Sequence, residues 1–183
     1  MIINTKLSIY RARLNKKHLS ITKMQGFNLI ELMVTISVLA ILLAIATPSF
    51  TNIVLGAKLN GYANNLVAGA YLARSEAIKR NSIVQLCVST NGSSCGAGGW
   101  EQGWIILSGA EIVKYQQATV TGIKINESNG ITSLNFQPTG VGSTQATLTV
   151  CRKTPTVGNQ EQVVSISATG RPSSAKTTTG ICN

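Results

Sequence analysis

The sequence predicts an α+β fold: a long N-terminal hydrophobic α-helix packed on an antiparallel β-sheet or sandwich domain. Three observations carry that prediction. A long apolar run ends at Pro48. From Ser49 to about Arg80, apolar residues recur at helical spacing. From Ser82 onward the period changes to two.

The apolar run comes first. Phe27 to Thr47 is 21 residues long, and Glu31 is its one charged side chain. At about 1.5 Å per residue a helix of that length spans roughly 32 Å, close to the roughly 30 Å of a bilayer's hydrocarbon core. Residues 1–26 carry Lys6, Arg11, Arg13, Lys16, Lys17 and Lys23 and no acid. Cations flanking an apolar helix stay in the cytoplasm, which places residues 49–183 on the far side. The net charge is +10. Because most of it sits in this leader, it is no argument for nucleic-acid binding by the whole chain.

Ser49 to about Arg80 continues the helix. Leu55, Leu59, Tyr62, Leu66, Ala70, Ala73 and Ala77 fall on one face, opposite Asn52, Lys58, Asn65, Arg74 and Lys79. Gly56, Gly61 and Gly69 each weaken it by about 1 kcal/mol relative to Ala, which packing of the apolar face must offset. Around Arg74, Glu76, Lys79 and Arg80 the sequence reads as a solvated face with an i, i+3 pair between Glu76 and Lys79.

Seven β-branched-rich runs follow: Ser82–Thr90, Gly103–Leu107, Glu111–Gln116, Gly122–Ile125, Ile131–Phe136, Gln145–Arg152 and Gln162–Ser167. Gly, Ser, Asn and Pro separate them, the punctuation of an antiparallel sheet domain. Asn91–Gly99 reads as a loop and Thr177–Gly180 as a polar tail.

Composition argues against an enzyme. The chain has no Asp, and its one His is His18, in the basic leader. The region after Pro48 therefore builds neither a Ser-His-Asp triad nor a His-based metal site. No catalytic residue, metal or cofactor is expected. The four cysteines contain no Cys-x-x-Cys spacing. Placed outside the cytoplasm, they favour disulfides. Cys87 and Cys95 bracket a strand end and a Gly-rich loop, and Cys151 and Cys182 bracket the last strand pair and the tail. The expected pairs are Cys87–Cys95 and Cys151–Cys182.

Glu31 sharpens the reading of the apolar run. A carboxylate inside an apolar helix costs a few kcal/mol unless it is paired or lies near the interface. Were the chain cut after Gly26, the new α-ammonium of Phe27 and the Glu31 carboxylate would stand at i, i+4 spacing. Gly26-Phe27-Asn28-Leu29-Ile30-Glu31-Leu32-Met33 resembles the N-terminal signature of type IV pilins and type II secretion pseudopilins. The resemblance implies cleavage after Gly26 by a prepilin peptidase, N-methylation of Phe27, and pairing of Glu31 between subunits. Pro48 falls where this family commonly has a helix-kinking proline. At 26 residues the leader is long for the type IVa group, but a start at Met24 would leave it without Lys or Arg.

A second resemblance covers the soluble region. The segment Leu72 to Cys87, followed by Trp100 and Gly103-Trp104-Ile105, is similar to the core of the GspH/FimT group of minor pilins. Near the C-terminus, Gly170-Arg171-Pro172-Ser173 matches half of the Gly-Arg-x-Arg motif of FimT-like pilins that take up DNA, with Ser173 in place of the second Arg. The alternative reading is therefore a DNA-binding minor pilin for natural transformation. Arg152, Lys153, Gly170, Arg171 and Lys176 would form its basic patch, near the Cys151–Cys182 bridge.

The expected organisation is a basic prepilin leader over 1–26, a transmembrane and assembly helix over 27–48, an amphipathic half over 49–80, and a periplasmic GspH/FimT-like β domain over 81–183. The expected function is that of a minor pilin or pseudopilin, a structural subunit of a type IV pilus or type II secretion pseudopilus. Its partners would be other pilins, prepilin peptidase and the bacterial inner membrane, crossed once with the N-terminus cytoplasmic.

Overall fold

The computed structural model describes residues 26–140, 144–153, 160–177 and 182, with the backbone alone at residues 47–49. The leader up to Gln25 and most of the polar tail lie outside the described residues. The chain divides into two compact units, one up to Leu42 and one from Leu43 onward. One helix, α1, runs from Leu29 to Arg80.

Asn81 ends α1. It adopts the left-handed conformation (φ 49°). Its N–H donates to the Ile78 carbonyl, and that of Ser82 reaches back to Ala77. This is a Schellman cap, in which Asn serves in place of the more usual Gly because its short polar side chain tolerates positive φ.

In the second unit the helix buries the face that its spacing predicts. Leu59, Leu66, Ala70, Ala73 and Ala77 are buried, with Ala63 beside them, and Leu55 and Tyr62 pack against the same cluster. The alanines keep that face flat, so the backbone approaches the sheets closely.

Among the described residues eight strands follow: β1 (Val84–Val88), β2 (Gly103–Ser108), β3 (Glu111–Gln117), β4 (Ile123–Glu127), β5 (Ser133–Phe136), β6 (Ala146–Arg152), β7 (Glu161–Ile166) and β8 (Pro172–Thr177). They form two four-stranded antiparallel sheets, ordered β3-β2-β1-β5 and β4-β6-β7-β8. Alternation with period two decides which face of each strand is buried. Val84, Leu86 and Val88 of β1 point inward with Trp104, Ile106, Leu134 and Phe136 from the same sheet. Ile123, Ile125, Leu148, Val150, Val164 and Ile166 point inward from the other. Both sets join the helix residues in one core.

Two expectations are corrected. The sequence suggests seven strands, and β8 is the eighth. Its residues Ser173 to Lys176 are exposed and show no apolar alternation. β8 exists because β7 pairs with it from Glu161↔Thr177 to Ile166↔Pro172. Arg74 does not lie on a fully solvated face: it is half-buried, and its Nε donates to the Gly140 carbonyl at 2.5 Å.

Candidate functional site

The candidate site is the beginning of α1. Gly26, Phe27 and Asn28 precede the first helical residue, and the Asn28 carbonyl accepts the N–H of Leu32 at 3.1 Å. The bond between Gly26 and Phe27 therefore lies in non-helical chain. A Cβ placed on Gly26 would meet no neighbour within 4 Å, and Phe27 is 76% exposed. Among the described residues nothing covers this non-helical segment, as a peptidase needs in order to bind a scissile bond.

Glu31 sits in the first turn of α1, exposed. There its charge complements the helix dipole, whose positive end is formed by unpaired N–H groups. Beyond it the helix is apolar on all sides. From Leu32 to Ile45 the large hydrophobic side chains are each more than half exposed. A helix apolar all round has to be covered, by lipid or by other helices. The polar residues within this stretch satisfy themselves. The Thr35 hydroxyl donates to the Leu32 carbonyl at 2.8 Å, and that of Ser37 to Met33 at 2.7 Å. Neither needs water, so both are compatible with hydrocarbon. Glu31 is then the one charged group on a surface that otherwise sorts by hydrophobicity alone. α1 runs through position 48, whose side chain lies outside the described residues.

The residues that resemble the GspH/FimT core prove to be packing devices. Gly103 has φ 115°, and a Cβ there would meet the carbonyls of Ser89 and Gln116 at 2.9 Å each. Trp104 is buried against Gly69 of α1. The Trp100 indole N–H donates to the Ile131 carbonyl at 2.8 Å. Arg80 joins the end of α1 to β3: its Nε lies 2.6 Å from Glu76, and its terminal nitrogens lie 2.5 and 3.0 Å from the Glu111 carboxylate. Lys79 also meets Glu76, at 3.4 Å. The guanidinium holds both carboxyls below their ordinary value of 4.5. Those carboxylates in turn push the Arg80 pKa upward.

Disulfides join Cys87 to Cys95 and Cys151 to Cys182, with Cα separations of 5.5 and 5.8 Å. The first ties the Asn91–Gly99 loop to β1. The second ties Cys182 to β6.

The basic residues considered for DNA do not form one patch. Arg152 and Lys153 lie at the C-terminal end of β6, and Lys176 is paired with Gln162 at the same end of that sheet. Arg171 precedes β8 at the opposite end, beside the Ile166↔Pro172 pair. Five residue steps of extended chain separate Arg171 from Lys176, about 16 Å. Gly170 and Arg171 instead make the β7–β8 turn. Gly170 has φ 68° and donates to the Ser167 carbonyl at 2.8 Å, and the Arg171 carbonyl accepts the Ser167 N–H at 3.1 Å. Among the described residues no cluster of three or more His, Cys, Asp or Glu could hold a metal ion.

Sequence reasoning missed the Glu127 carboxylate, which is buried and held by backbone donors. It accepts the backbone N–H of Asn129 at 2.8 Å, Ile131 at 2.7 Å and Thr147 at 3.2 Å. Its role is to hold the β4–β5 turn against β6. No local signal marks it, because Thr147 is 20 residues away.

The profile of the type II transport protein GspH matches residues 62–170, and that of the prokaryotic N-terminal methylation motif matches residues 21–47. Among solved structures, the chain is similar to the Pseudomonas aeruginosa type IV minor pilin FimU in two crystal forms. Identity is 23% and 22%, with a TM-score of 0.52 in both cases, covering 64% of this chain and 92% and 87% of those. The minor pseudopilin EpsH of the Vibrio cholerae type 2 secretion system matches at 13% identity and a TM-score of 0.44, covering 65% of this chain and 97% of that one. Comparison with curated protein sequences finds no significant match. The helix packed on two antiparallel sheets is the fold of FimU. With the profile spanning more than half of its length and the methylation motif laid over the start of α1, the chain belongs to the GspH family and is a minor pilin or pseudopilin subunit.

Proposed function

We propose that this subunit is made as a precursor, cut by a prepilin peptidase between Gly26 and Phe27, and N-methylated on Phe27. The observation that carries this reading is the pairing of a non-helical Gly26–Phe27 bond, uncovered among the described residues, with a first-turn Glu31 on an all-apolar helix. Before assembly the helix spans the inner membrane once. The basic residues of the leader hold that end in the cytoplasm, and residues 49–183 lie on the periplasmic side. Pro48 marks where the apolar part gives way to the amphipathic half.

In the filament the apolar helix exchanges lipid for neighbouring pilin helices. Both environments cover its hydrophobic surface, so hydrophobicity does not fix how far one helix slides along the next. A carboxylate among apolar helices does, because the backbone N–H groups there are already paired and a cation is what gives it a low-energy position. Glu31 meets the N-terminal ammonium of an adjacent subunit and thereby sets the register. The protein has no enzymatic activity of its own. The DNA-binding alternative has no supporting observation, since its residues are divided between two ends of one sheet.

Mass spectrometry of the mature protein tests the processing step. The expected N-terminus is N-methyl-Phe27, and any other start would undo the proposal. Glu31→Ala is expected to leave the protein membrane-bound and absent from filaments. Normal incorporation of that variant would remove Glu31 from the mechanism.

A further inference from the structure

We propose that a groove at the membrane-proximal end of the second unit holds the headgroup of an anionic phospholipid. This rests on the membrane-anchored reading above. The groove has a volume of about 340 Å³. Phe50, Val54 and Lys58 line it from α1, Val120 from the β3–β4 loop, and Arg152 from the end of β6. Phe50, Val54 and Lys58 are spaced four residues apart and so form one stripe along the helix. Phe50 is 68% exposed, Val54 37% and Val120 49%. No acidic residue lines the groove, and among the described residues neither Lys58 nor Arg152 makes an ion pair. The site thus offers apolar surface at one end and two unneutralised cations at the other.

Position along the helix selects the occupant. Counting about 20 residues of roughly 1.5 Å each from Leu32, the first residue after Glu31, the hydrocarbon ends near Thr51. The α-carbon of Lys58 then stands about 10 Å further out. Helical side chains point back toward the N-terminus, and a lysine reaches back about 5 Å to bring its ammonium toward the headgroups. The headgroup layer is itself about 5–7 Å thick. Phe50 and Val54 meet the upper acyl chain, while Lys58 and Arg152 meet the phosphate. Each cation near an anionic leaflet adds about fivefold to the attraction.

The test uses the full chain in nanodiscs of equal phosphatidylglycerol and phosphatidylcholine, followed by native mass spectrometry of the lipid that stays bound after release. Wild type is expected to retain phosphatidylglycerol over phosphatidylcholine by about 25-fold, two contributions of about fivefold each. Lys58→Gln, a change at an exposed position, is expected to reduce that preference severalfold, and Lys58→Glu with Arg152→Glu to lower it further, to the level that the cations of residues 1–26 alone sustain. Both variants should keep the wild-type melting temperature in detergent. Equal retention of the two lipids by wild type, or an unchanged preference in the variants, would overturn the proposal. So would a second copy of the chain in place of lipid. Failure of wild type to insert into nanodiscs at all would instead sink the membrane-anchored reading, and this proposal with it.

Discussion

The Trp104 ring occupies the space that a side chain at position 69 would need. A Cβ on Gly69 would lie 2.5 Å from Cη2 and 2.9 Å from Cζ3 of the indole. Glycine inside a helix ordinarily costs about 1 kcal/mol relative to alanine. Here it lets the largest side chain of β2 reach the helix backbone, at the centre of the core that joins α1 to the first sheet.

Gly69→Ala is therefore expected to destabilise the protein by about 1–3 kcal/mol, although helix propensity alone would favour it. Chemical denaturation of the purified protein gives the sign. In a Trp104→Phe background the six-membered indole ring that fills the space is gone, and the same change should become neutral or stabilising. Additivity of the two substitutions would show that they do not meet.

Glu127 gives a second prediction. Its carboxylate takes three backbone N–H groups in a buried position. Removing it leaves three orphan donors, each costing about 1–3 kcal/mol when no water replaces the acceptor. Glu127→Ala should lower stability by about 3 kcal/mol or more. Glu127→Gln should fall between it and wild type, because one acceptor oxygen remains. Hydrogen exchange at the amides of Asn129, Ile131 and Thr147 should accelerate in the alanine variant beyond its global destabilisation. Equal protection in the two proteins would contradict this role.

These two residues show what a linear sequence reveals and what it hides. The start of α1 is legible because its parts are local: Gly26, Phe27 and Glu31 lie within six residues, and hydrophobicity alone marks the helix that follows. The buried faces of β1 and β4–β7 are legible from period two. Alternation names a strand's inner face but not its sheet, so the assignment of β4 to the second sheet and β5 to the first was invisible. β8 was hidden because an edge strand with Ser173, Ser174 and Lys176 on its surface carries no apolar pattern. The contacts from Arg74 to Gly140 and from Arg80 to Glu111 close over 66 and 31 residues. The basic patch failed for a related reason. Arg171 and Lys176 are close in sequence, but extended chain carries them to opposite ends of β8.

The two disulfides should differ in their contribution. Cys151–Cys182 closes 31 residues and Cys87–Cys95 only 8. By loop-closure entropy these constrain the unfolded chain by about 4 and about 2.5 kcal/mol. Cys182→Ser is expected to lower the melting temperature more than Cys95→Ser, and to expose the C-terminal residues to limited proteolysis. A larger loss from Cys95→Ser would mean that the Asn91–Gly99 loop contributes packing beyond the constraint, since Gly92 in that loop approaches the Tyr115 ring.

The Arg80 network should make stability depend on pH in one direction. Glu76 and Glu111 both have folded-state values below 4.5, chiefly because Arg80 donates hydrogen bonds to them. A carboxyl whose value falls on folding contributes stability above its unfolded value and loses it as pH drops through the folded one. Arg80 itself stays charged throughout this range. Arg80→Gln is therefore expected to melt below wild type at neutral pH, and the difference should close as the pH falls through the lowered folded-state values of the two carboxyls. The network is exposed, so about 0.5 M salt should shrink the neutral-pH difference as well. A difference that persisted unchanged at low pH would assign the role of Arg80 to the packing of its aliphatic stem rather than to its charge.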